Sequence, residues 1–185
     1  MKNELVKLSK FISLILRHDP SKINIMLDEH GWAKVDELIN GINQHGHYLD
    51  QEMLDQIVAT NNKKRFCFNE DHTLIRANQG HSIQVDVELP EKIPPKLLYH
   101  GTAINNLDKI KQSGIKKMNR LYVHLSKDVE TATKVGSRHG KPVVLIIDTQ
   151  AMIKDGYKFY YSLNEVWLCD DIDYRYVIDI VTSNI

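Results

Sequence analysis

The sequence is poor in cysteine and proline and has no net charge. Its 185 residues include 2 cysteines and 5 prolines, and 24 lysines and arginines balance 24 aspartates and glutamates. Cys67 and Cys169 lie far apart and lack the spacing of metal ligands, so we expect buried free thiols in a reducing compartment. Because there is no basic excess, any nucleic-acid binding must depend on a local patch of positive charge.

Long apolar runs are also missing. None approaches the roughly 20 residues that span a bilayer. The first segment is an amphipathic helical pattern with several charges, which is unlike the apolar centre of a signal peptide. We therefore expect a cytoplasmic protein that contacts no membrane. At this length the chain has room for one large domain or two small ones.

The first half of the sequence predicts helices followed by a hairpin. Apolar residues recur at helical spacing until Pro20, which forbids continuation of the helix. Asp50 is a predicted N-cap of a later helix. We predict two further helices over 35–44 and 51–60, a hairpin over 65–77 and a strand over 82–89. Such an order is typical of a winged-helix module, which we assign to residues 1–90.

Beyond Pro95 the pattern changes to short strands and few helices. Pro90, Pro94 and Pro95 indicate a linker. The predicted strands contain LLYHGT, LYVHLS, PVVLIID, YKFYYSL, EVWL and YVIDIV, and the predicted helices contain AINNLDKIKQSG and DVETATKVGSRHG. The mixed order and the absence of a Rossmann glycine fingerprint predict an α+β domain with a split sheet over residues 91–185.

Two histidines on predicted strands are candidate pocket residues. His100 precedes Gly101 and Thr102, and His124 is followed closely by Ser126. A single histidine on a strand is more often a core or edge residue. The matched setting of the two favours a pocket in which a ligand approaches the backbone at Gly101. We expect no metal, because no third ligand stands at a suitable spacing.

The remaining clusters are basic or polar. RHDP places Arg17 and His18 at a helix end, NNKKRFCF places Arg65 before a strand, and GSRHGKP places Arg138 after a helix. Simpler roles exist for each, because positive charge complements a helix C-terminus and a Lys-Lys-Arg run is usually a solvated face. IRANQGHS offers hydrogen-bonding side chains that suit a polyanion or an interdomain contact, namely Arg76, Asn78, Gln79 and His81.

Together these motifs resemble those of the NAD-dependent RNA 2′-phosphotransferases, the KptA-like tRNA 2′-phosphotransferases. The match covers nearly the whole chain, in order and in approximate spacing. It rests on LSKFISLILRHDP, LDEHGWAKVDELI, NNKKRFCF, IRANQGHSI, LLYHGT, YVHLS, GSRHGKPVVL, DGYKFYYS and EVWL. The resemblance implies an N-terminal winged-helix RNA lobe and a C-terminal ADP-ribosyltransferase-like lobe that binds NAD.

The resemblance also implies roles for individual residues. The implied catalytic residues are Arg17, His18, Arg65 and Arg138, the last reaching from the NAD lobe to the same phosphate. The implied NAD-binding residues are His100, Gly101, Thr102, His124, Ser126 and Val166. The implied RNA-binding residues are Arg76, Asn78 and His81.

Two positions depart from the family pattern. Leu121 stands where the family often has a polar residue, and Glu165 stands where glycine is common. Val166 occupies the position at which many relatives carry the glutamate of the transferase triad. Because adjacent side chains of a strand point to opposite faces, we predict that Val166 lines the pocket and that Glu165 does not.

The implied reaction removes an internal 2′-phosphate from RNA. A phosphate of this kind is left behind by one form of tRNA splicing. The phosphate displaces nicotinamide from NAD, and a ribose hydroxyl of the ADP-ribosylated RNA then attacks phosphorus, giving 2′-OH RNA and ADP-ribose 1″,2″-cyclic phosphate. NAD is thus a co-substrate, arginines supply the positive charge without a metal, and no obligate protein partner is indicated. Two alternatives stay open: an ADP-ribosyltransferase acting on phosphorylated nucleic-acid ends, and a winged-helix regulator that senses NAD.

Overall fold

The chain divides into two units, Met1–Glu88 and Leu89–Ile185, each built of helices and strands. The structure is a computed structural model that describes residues 2–60 and 63–182. Its mixture of helix and strand confirms the predicted α+β class. The predicted domain boundary, after residue 90, falls close to this division. No helix in the described ranges is long and apolar enough to cross a membrane.

In its described residues, the first unit contains three α-helices and a small antiparallel sheet. The helices are α1 (Lys2–Arg17), α2 (Val35–Gln44) and α3 (Gln51–Thr60), and the strands are β1 (Ala33–Lys34), β2 (Phe66–Phe68) and β3 (Leu74–Ala77). The strand order is β1-β3-β2. The predicted helices and hairpin are confirmed, and Asp50 caps α3 by accepting the Met53 N–H at 2.8 Å. A strand as short as β1 leaves no recognisable sequence pattern.

Helix α1 ends where its sequence predicts. Its inner residues Ile12, Ile15 and Leu16 are fully buried. The next helical turn, Pro20–Ile23, starts with a proline and is capped by Asp19, whose carboxylate accepts the Lys22 N–H at 3.2 Å. A proline that begins a new turn cannot continue the preceding helix. The break therefore leaves Arg17 and the residue after it at a defined helix end.

The predicted strand over residues 82–89 is wrong. Isolated backbone hydrogen bonds, and not a β-ladder, hold this segment. The Ser82 N–H donates to Arg17 O at 3.0 Å, and the Asp86 N–H donates to Glu29 O at 2.9 Å. Glu88 has a φ of 54°. Alternating apolar residues also suit an extended segment that packs one side against the protein, as the buried Val87 does. The pattern therefore indicated an extended chain and not a ladder.

The second unit contains two three-stranded antiparallel sheets. The first has the order β4-β6-β9 and comprises β4 (Leu97–Ala103), β6 (Pro142–Asp148) and β9 (Val177–Thr182). The second has the order β5-β8-β7 and comprises β5 (Val123–Leu125), β8 (Trp167–Cys169) and β7 (Tyr160–Tyr161). The helices are α4 (Leu107–Ser113), α5 (Val129–Gly136) and α6 (Thr149–Lys154). A backbone bridge between Tyr99 and Ser126 joins the two sheets.

Several predicted elements of the second unit are shorter in the structure. Helix α5 ends at Gly136, so Arg138 lies in the turn that follows. Strand β8 begins at Trp167, and the segment before it is a turn in which Glu165 has a φ of 63°. The prediction that EVWL is a strand from its first residue is therefore wrong.

The proline-rich segment is not a detached linker. The Tyr161 N–H donates to Pro90 O at 3.1 Å, and the Lys92 N–H donates to Phe159 O at 2.9 Å. Residues 90–92 therefore extend the edge beside β7 and belong to the second unit. Both cysteines are free, as predicted, although Cys169 is buried and Cys67 only half-buried. Burial raises the pKa of the Cys169 thiol to about 12, so that thiol stays protonated.

Candidate functional site

The end of α1 presents a basic pair held by a residue distant in sequence. Arg17 is half-buried and His18 is exposed. The His18 Nδ1 lies 2.8 Å from Ser82 Oγ, and the Ser82 N–H donates to Arg17 O at 3.0 Å. Sequence patterns did not indicate Ser82, because local periodicity carries no information about a contact across 64 positions.

Arg65 is held in a comparable way. It precedes β2, is half-buried, and its carbonyl oxygen accepts the Asn78 N–H at 2.9 Å. The Asn78 Nδ2 donates to Lys64 O at 2.6 Å, and Lys64 has a φ of 40°, which is uncommon for a lysine. Asn78 thus fixes the backbone on which Arg65 stands. Asn61 and Asn62 of the NNKKRFCF motif lie outside the described residues.

His81 stands in the sequence between Asn78, which contacts Arg65, and Ser82, which contacts Arg17. It is only 1% exposed. Among the residues that the structure describes, neither ring nitrogen has a hydrogen-bond partner. Burial, and then the positive charges of Arg17, His18 and Arg76, lower the pKa of His81 to about 4. The ring is therefore neutral near pH 7 and adds no further charge to the basic surroundings.

The burial of His81 predicts acid sensitivity. Unfolded histidine protonates near pH 6.5, whereas folded His81 protonates near pH 4, so its contribution to stability is complete above pH 6.5 and is lost as pH falls towards 4. Between pH 7 and 4.5 the H81Q variant should lose about 2–3 kcal/mol less unfolding free energy than the wild type. Denaturant titrations at both values measure this difference. The exposed-histidine variant H139Q should keep the wild-type sensitivity, and equal losses in H81Q and wild type would contradict the prediction.

The three predicted RNA-binding residues are well enclosed. The Arg76 side chain is 14% exposed, and its Nη1 lies 3.0 Å from Glu88 Oε2, while its guanidinium lies 4.3 Å from the centroid of the Trp32 ring. Asn78 is 5% exposed and His81 1%. These surroundings favour a role in holding the basic segments in place. Direct RNA contact by these three side chains stays a prediction.

In the second unit, the structure brings His100 and His124 together. The His100 Nδ1 lies 3.1 Å from His124 O, and the His124 Nδ1 lies 3.1 Å from Tyr122 O. A carbonyl oxygen only accepts, so Nδ1 is the donor in each ring. Burial lowers the pKa of His100 more than the bond to His124 raises it. At pH 7, His100 is therefore neutral and its Nε2 is an acceptor.

The other predicted NAD-binding residues lie near these histidines. The Ser126 backbone pairs with Tyr99, one residue before His100. Leu125 pairs with Trp167, which places Val166 at the same end of that ladder as Ser126. Thr102, farther along β4, is 7% exposed, and its Oγ1 accepts a hydrogen bond from Asn106 Nδ2 at 3.1 Å. His100, Ser126 and Val166 therefore lie in one region, on or next to strands β4, β5 and β8.

The structure gives Gly101 a packing role that the sequence did not predict. A Cβ on Gly101 would lie 1.7 Å from Ala132 O, and one on Gly136 would lie 2.7 Å from Thr102 O. These glycines allow α5 to pack closely against β4. At Gly101 a helix of the same unit makes a close approach, and the approach of a ligand stays a prediction. Through this packing, α5 and the turn carrying the exposed Arg138 are fixed relative to β4.

Strand alternation does not decide the roles of Glu165 and Val166, since both precede β8. The Glu165 side chain is 61% exposed, and its Oε2 lies 3.8 Å from Lys127 Nζ. Val166 is half-buried and its N–H donates to Ser162 Oγ at 3.1 Å. The difference in side-chain exposure, and not strand alternation, therefore supports different roles for Glu165 and Val166. Within the described ranges, no group of three or more metal-ligating side chains is placed to hold an ion.

Glu165→Gln should change turnover by less than about fivefold, because an exposed ion pair contributes at most about 1 kcal/mol. Steady-state rates of the reaction that the motif resemblance implies measure the effect. The matched control is Glu130→Gln, which removes the carboxylate of another exposed lysine pair. A loss far larger than that of the control would show that Glu165 takes part in the reaction.

Arginine and histidine side chains, such as those at the end of α1 and before β2 in this α+β protein, form strong charge-assisted hydrogen bonds with phosphate groups. The model of the RNA 2′-phosphotransferase, Tpt1/KptA family matches residues 3–171. The chain belongs to this family, which confirms the resemblance drawn from its motifs.

Relatives named "Probable RNA 2′-phosphotransferase" are similar to the chain over almost its whole length. The Fusobacterium nucleatum protein is 57% identical over 173 residues, which cover 93% of this chain and 97% of that protein. The Flavobacterium johnsoniae protein is 54% identical over 170 residues, covering 92% and 93%. The Streptomyces coelicolor protein is 48% identical over 172 residues, covering 93% of each.

Proposed function

We propose that this protein transfers an internal 2′-phosphate from RNA to NAD. The observation that carries the proposal is the family match over residues 3–171, which includes all four basic positions implied by the motifs. Finer assignments follow from it. We assign the first unit, with its three helices and β2-β3 hairpin, to the winged-helix class, and the second unit, with its two joined sheets, to the ADP-ribosyltransferase class.

In the first step, an oxygen of the 2′-phosphate attacks the ribose carbon of NAD that bears nicotinamide. The new bond joins that oxygen to the carbon, and the electron pair of the broken carbon–nitrogen bond leaves with nicotinamide. We assign Arg17, His18 and Arg65 to holding the RNA phosphates, because guanidinium stays charged and binds phosphate oxygens in pairs. The phosphate is already a nucleophile, which is consistent with valine at position 166.

In the second step, a ribose hydroxyl of the ADP-ribosylated RNA attacks phosphorus. The bond between phosphorus and the RNA 2′-oxygen breaks, that oxygen takes up a proton, and the products are 2′-OH RNA and ADP-ribose 1″,2″-cyclic phosphate. Negative charge develops on the phosphoryl oxygens in this step. We assign its stabilisation to Arg138 and His18, because fixed positive groups lower the energy of such a transition state.

The residues of the second unit have a donor and acceptor set suited to NAD. A neutral His100 with Nε2 as acceptor can receive a hydrogen bond from a hydroxyl of NAD. We assign Gly101, Thr102, His124, Ser126 and Val166 to the same site. NAD is a co-substrate that is consumed, and we propose no metal.

One incubation tests the proposal. The protein is mixed with an RNA oligonucleotide carrying one internal 2′-phosphate and with NAD, and nicotinamide, cyclic phosphate and RNA products are separated. We expect equal amounts of all three products, and none when NAD or the 2′-phosphate is omitted. ADP-ribose retained on a terminally phosphorylated nucleic acid would favour the transferase alternative. Binding of NAD without turnover would favour the regulator.

A further inference from the structure

Ser82 contacts both members of the basic pair at the end of α1. Its N–H donates to Arg17 O at 3.0 Å, and its Oγ lies 2.8 Å from His18 Nδ1. We propose that Ser82 is a positioning residue that orients the His18 imidazole towards a substrate phosphate. The role at the phosphate rests on the proposed function, whereas the hydrogen bond itself does not.

The two hydrogen bonds act on neighbouring residues, Arg17 and His18. Together they restrict the end of α1 more than either hydrogen bond would alone. The backbone bond fixes the distance between the Ser82 segment and the end of α1. With that distance fixed, the hydroxyl restricts rotation of the His18 ring. The segment itself is anchored one residue earlier by His81, which is 1% exposed. An exposed histidine without such a contact would sample several rotamers, and ordering it would cost free energy in each catalytic cycle.

A hydroxyl suits this position because it can both donate and accept. When the imidazole is neutral with its proton on Nε2, Ser82 Oγ donates to Nδ1. When the ring is charged, Nδ1–H donates to Oγ. In both states Nε2 carries a hydrogen that can be donated to a phosphate oxygen. The contact can thus persist while His18 gains or loses a proton, which a purely accepting or purely donating partner would not allow.

The structure suggests three informative variants. S82A removes the hydroxyl and keeps the backbone N–H that holds Arg17. S82T keeps both groups, and its extra methyl has room because Ser82 is exposed. S113A is the matched control, since Ser113 is another exposed serine with a hydrogen bond from Oγ, to Lys109 O at 2.9 Å.

We expect S82A to lower kcat about tenfold, with a smaller change in KM for RNA, because one hydrogen bond to a charged group is lost. S82T should recover most of the loss, and S113A should behave as wild type. In the H18N background, S82A should cause little further loss, since Ser82 acts through His18. Wild-type kcat in S82A, equal losses in S82A and S82T, or a full tenfold further loss in H18N would each overturn the proposal.

A second measurement is independent of activity. Nuclear magnetic resonance of the protein with ¹⁵N-labelled histidine reports the tautomer and titration of His18, whose signals are assigned by their absence in H18N. We expect S82A to change both for His18, with S82T and S113A close to wild type. Unchanged His18 signals in S82A would overturn the positioning role. If wild type lacks turnover but these signals change as expected, the proposed function fails and the Ser82–His18 contact stands.

Discussion

Replacing Arg17 or Arg65 by alanine will lower turnover about 100- to 1,000-fold, the usual cost of losing one fixed charge contact in a transition state. The backbones at both positions should stay in place, because each carbonyl oxygen keeps its hydrogen bond. The Arg17 carbonyl accepts from Ser82 and the Arg65 carbonyl accepts from Asn78, and alanine keeps both bonds. Denaturant unfolding of each variant separates a loss of the catalytic charge from a loss of stability.

The lysine variants make this prediction specific for guanidinium. Arg17→Lys and Arg65→Lys keep the charge but lose the planar pair of donors, so they should recover only a small part of the activity. The control is Arg175→Ala, which removes an exposed arginine paired with Asp155 and should turn over at nearly the wild-type rate. Single-turnover rates and denaturant unfolding should be measured on the same preparations. A wild-type rate in Arg17→Ala or Arg65→Ala would remove that residue from the site.

Local sequence patterns predicted the elements whose stability depends on neighbouring residues. Helix α2 spans Val35–Gln44, as its apolar periodicity indicated, and Asp50 caps α3 through its own side chain. Helix α1 ends before Pro20 because a proline cannot continue a helix. In each case the deciding interaction lies within a few positions along the chain.

Predictions failed where a distant contact decides the structure. Apolar and polar residues alternate over 82–89 as they do in a strand. In the described chain, however, the backbone of this segment makes isolated hydrogen bonds to Arg17 and Glu29 and does not pair as a strand. Local patterns also did not reveal that Gly101 accommodates the carbonyl of Ala132 in α5. No local pattern records which segments meet in the fold.

The candidate site shows the same division. The motifs predicted roles for Arg17, His18, Arg65 and Arg138 because these residues stand in unusual polar sequences. Ser82 and Asn78 fix the basic segments through hydrogen bonds that span 64 and 14 positions, which no local pattern in the sequence records. The sequence therefore predicted which charged side chains belong to the candidate site. The structure showed which hydrogen bonds hold two of the segments that carry these side chains.

Replacing Arg138 by alanine should separate the two proposed steps. If Arg138 serves mainly the attack on phosphorus, the variant will still release nicotinamide in a first turnover, because Arg17, His18 and Arg65 remain to hold the RNA phosphates. Formation of the cyclic product should fall about 100- to 1,000-fold. The ADP-ribosylated 2′-phospho-RNA should therefore accumulate. Arg138 is exposed in the turn after α5, whose packing depends on glycines, so alanine at 138 should not disturb the fold.

Rapid-quench measurements of both products decide the point. In the wild type, nicotinamide and cyclic phosphate should appear together, whereas in Arg138→Ala nicotinamide should appear as a burst equal to the enzyme concentration. His18→Ala should also slow the second step more than the first, because its imidazolium is assigned to the same developing charge. The control is Lys134→Ala, which removes an exposed cation from α5 one turn earlier and should leave both steps unchanged. Equal slowing of both steps in Arg138→Ala would show that Arg138 helps to bind the phosphate from the start, and the assignment of separate roles would be wrong.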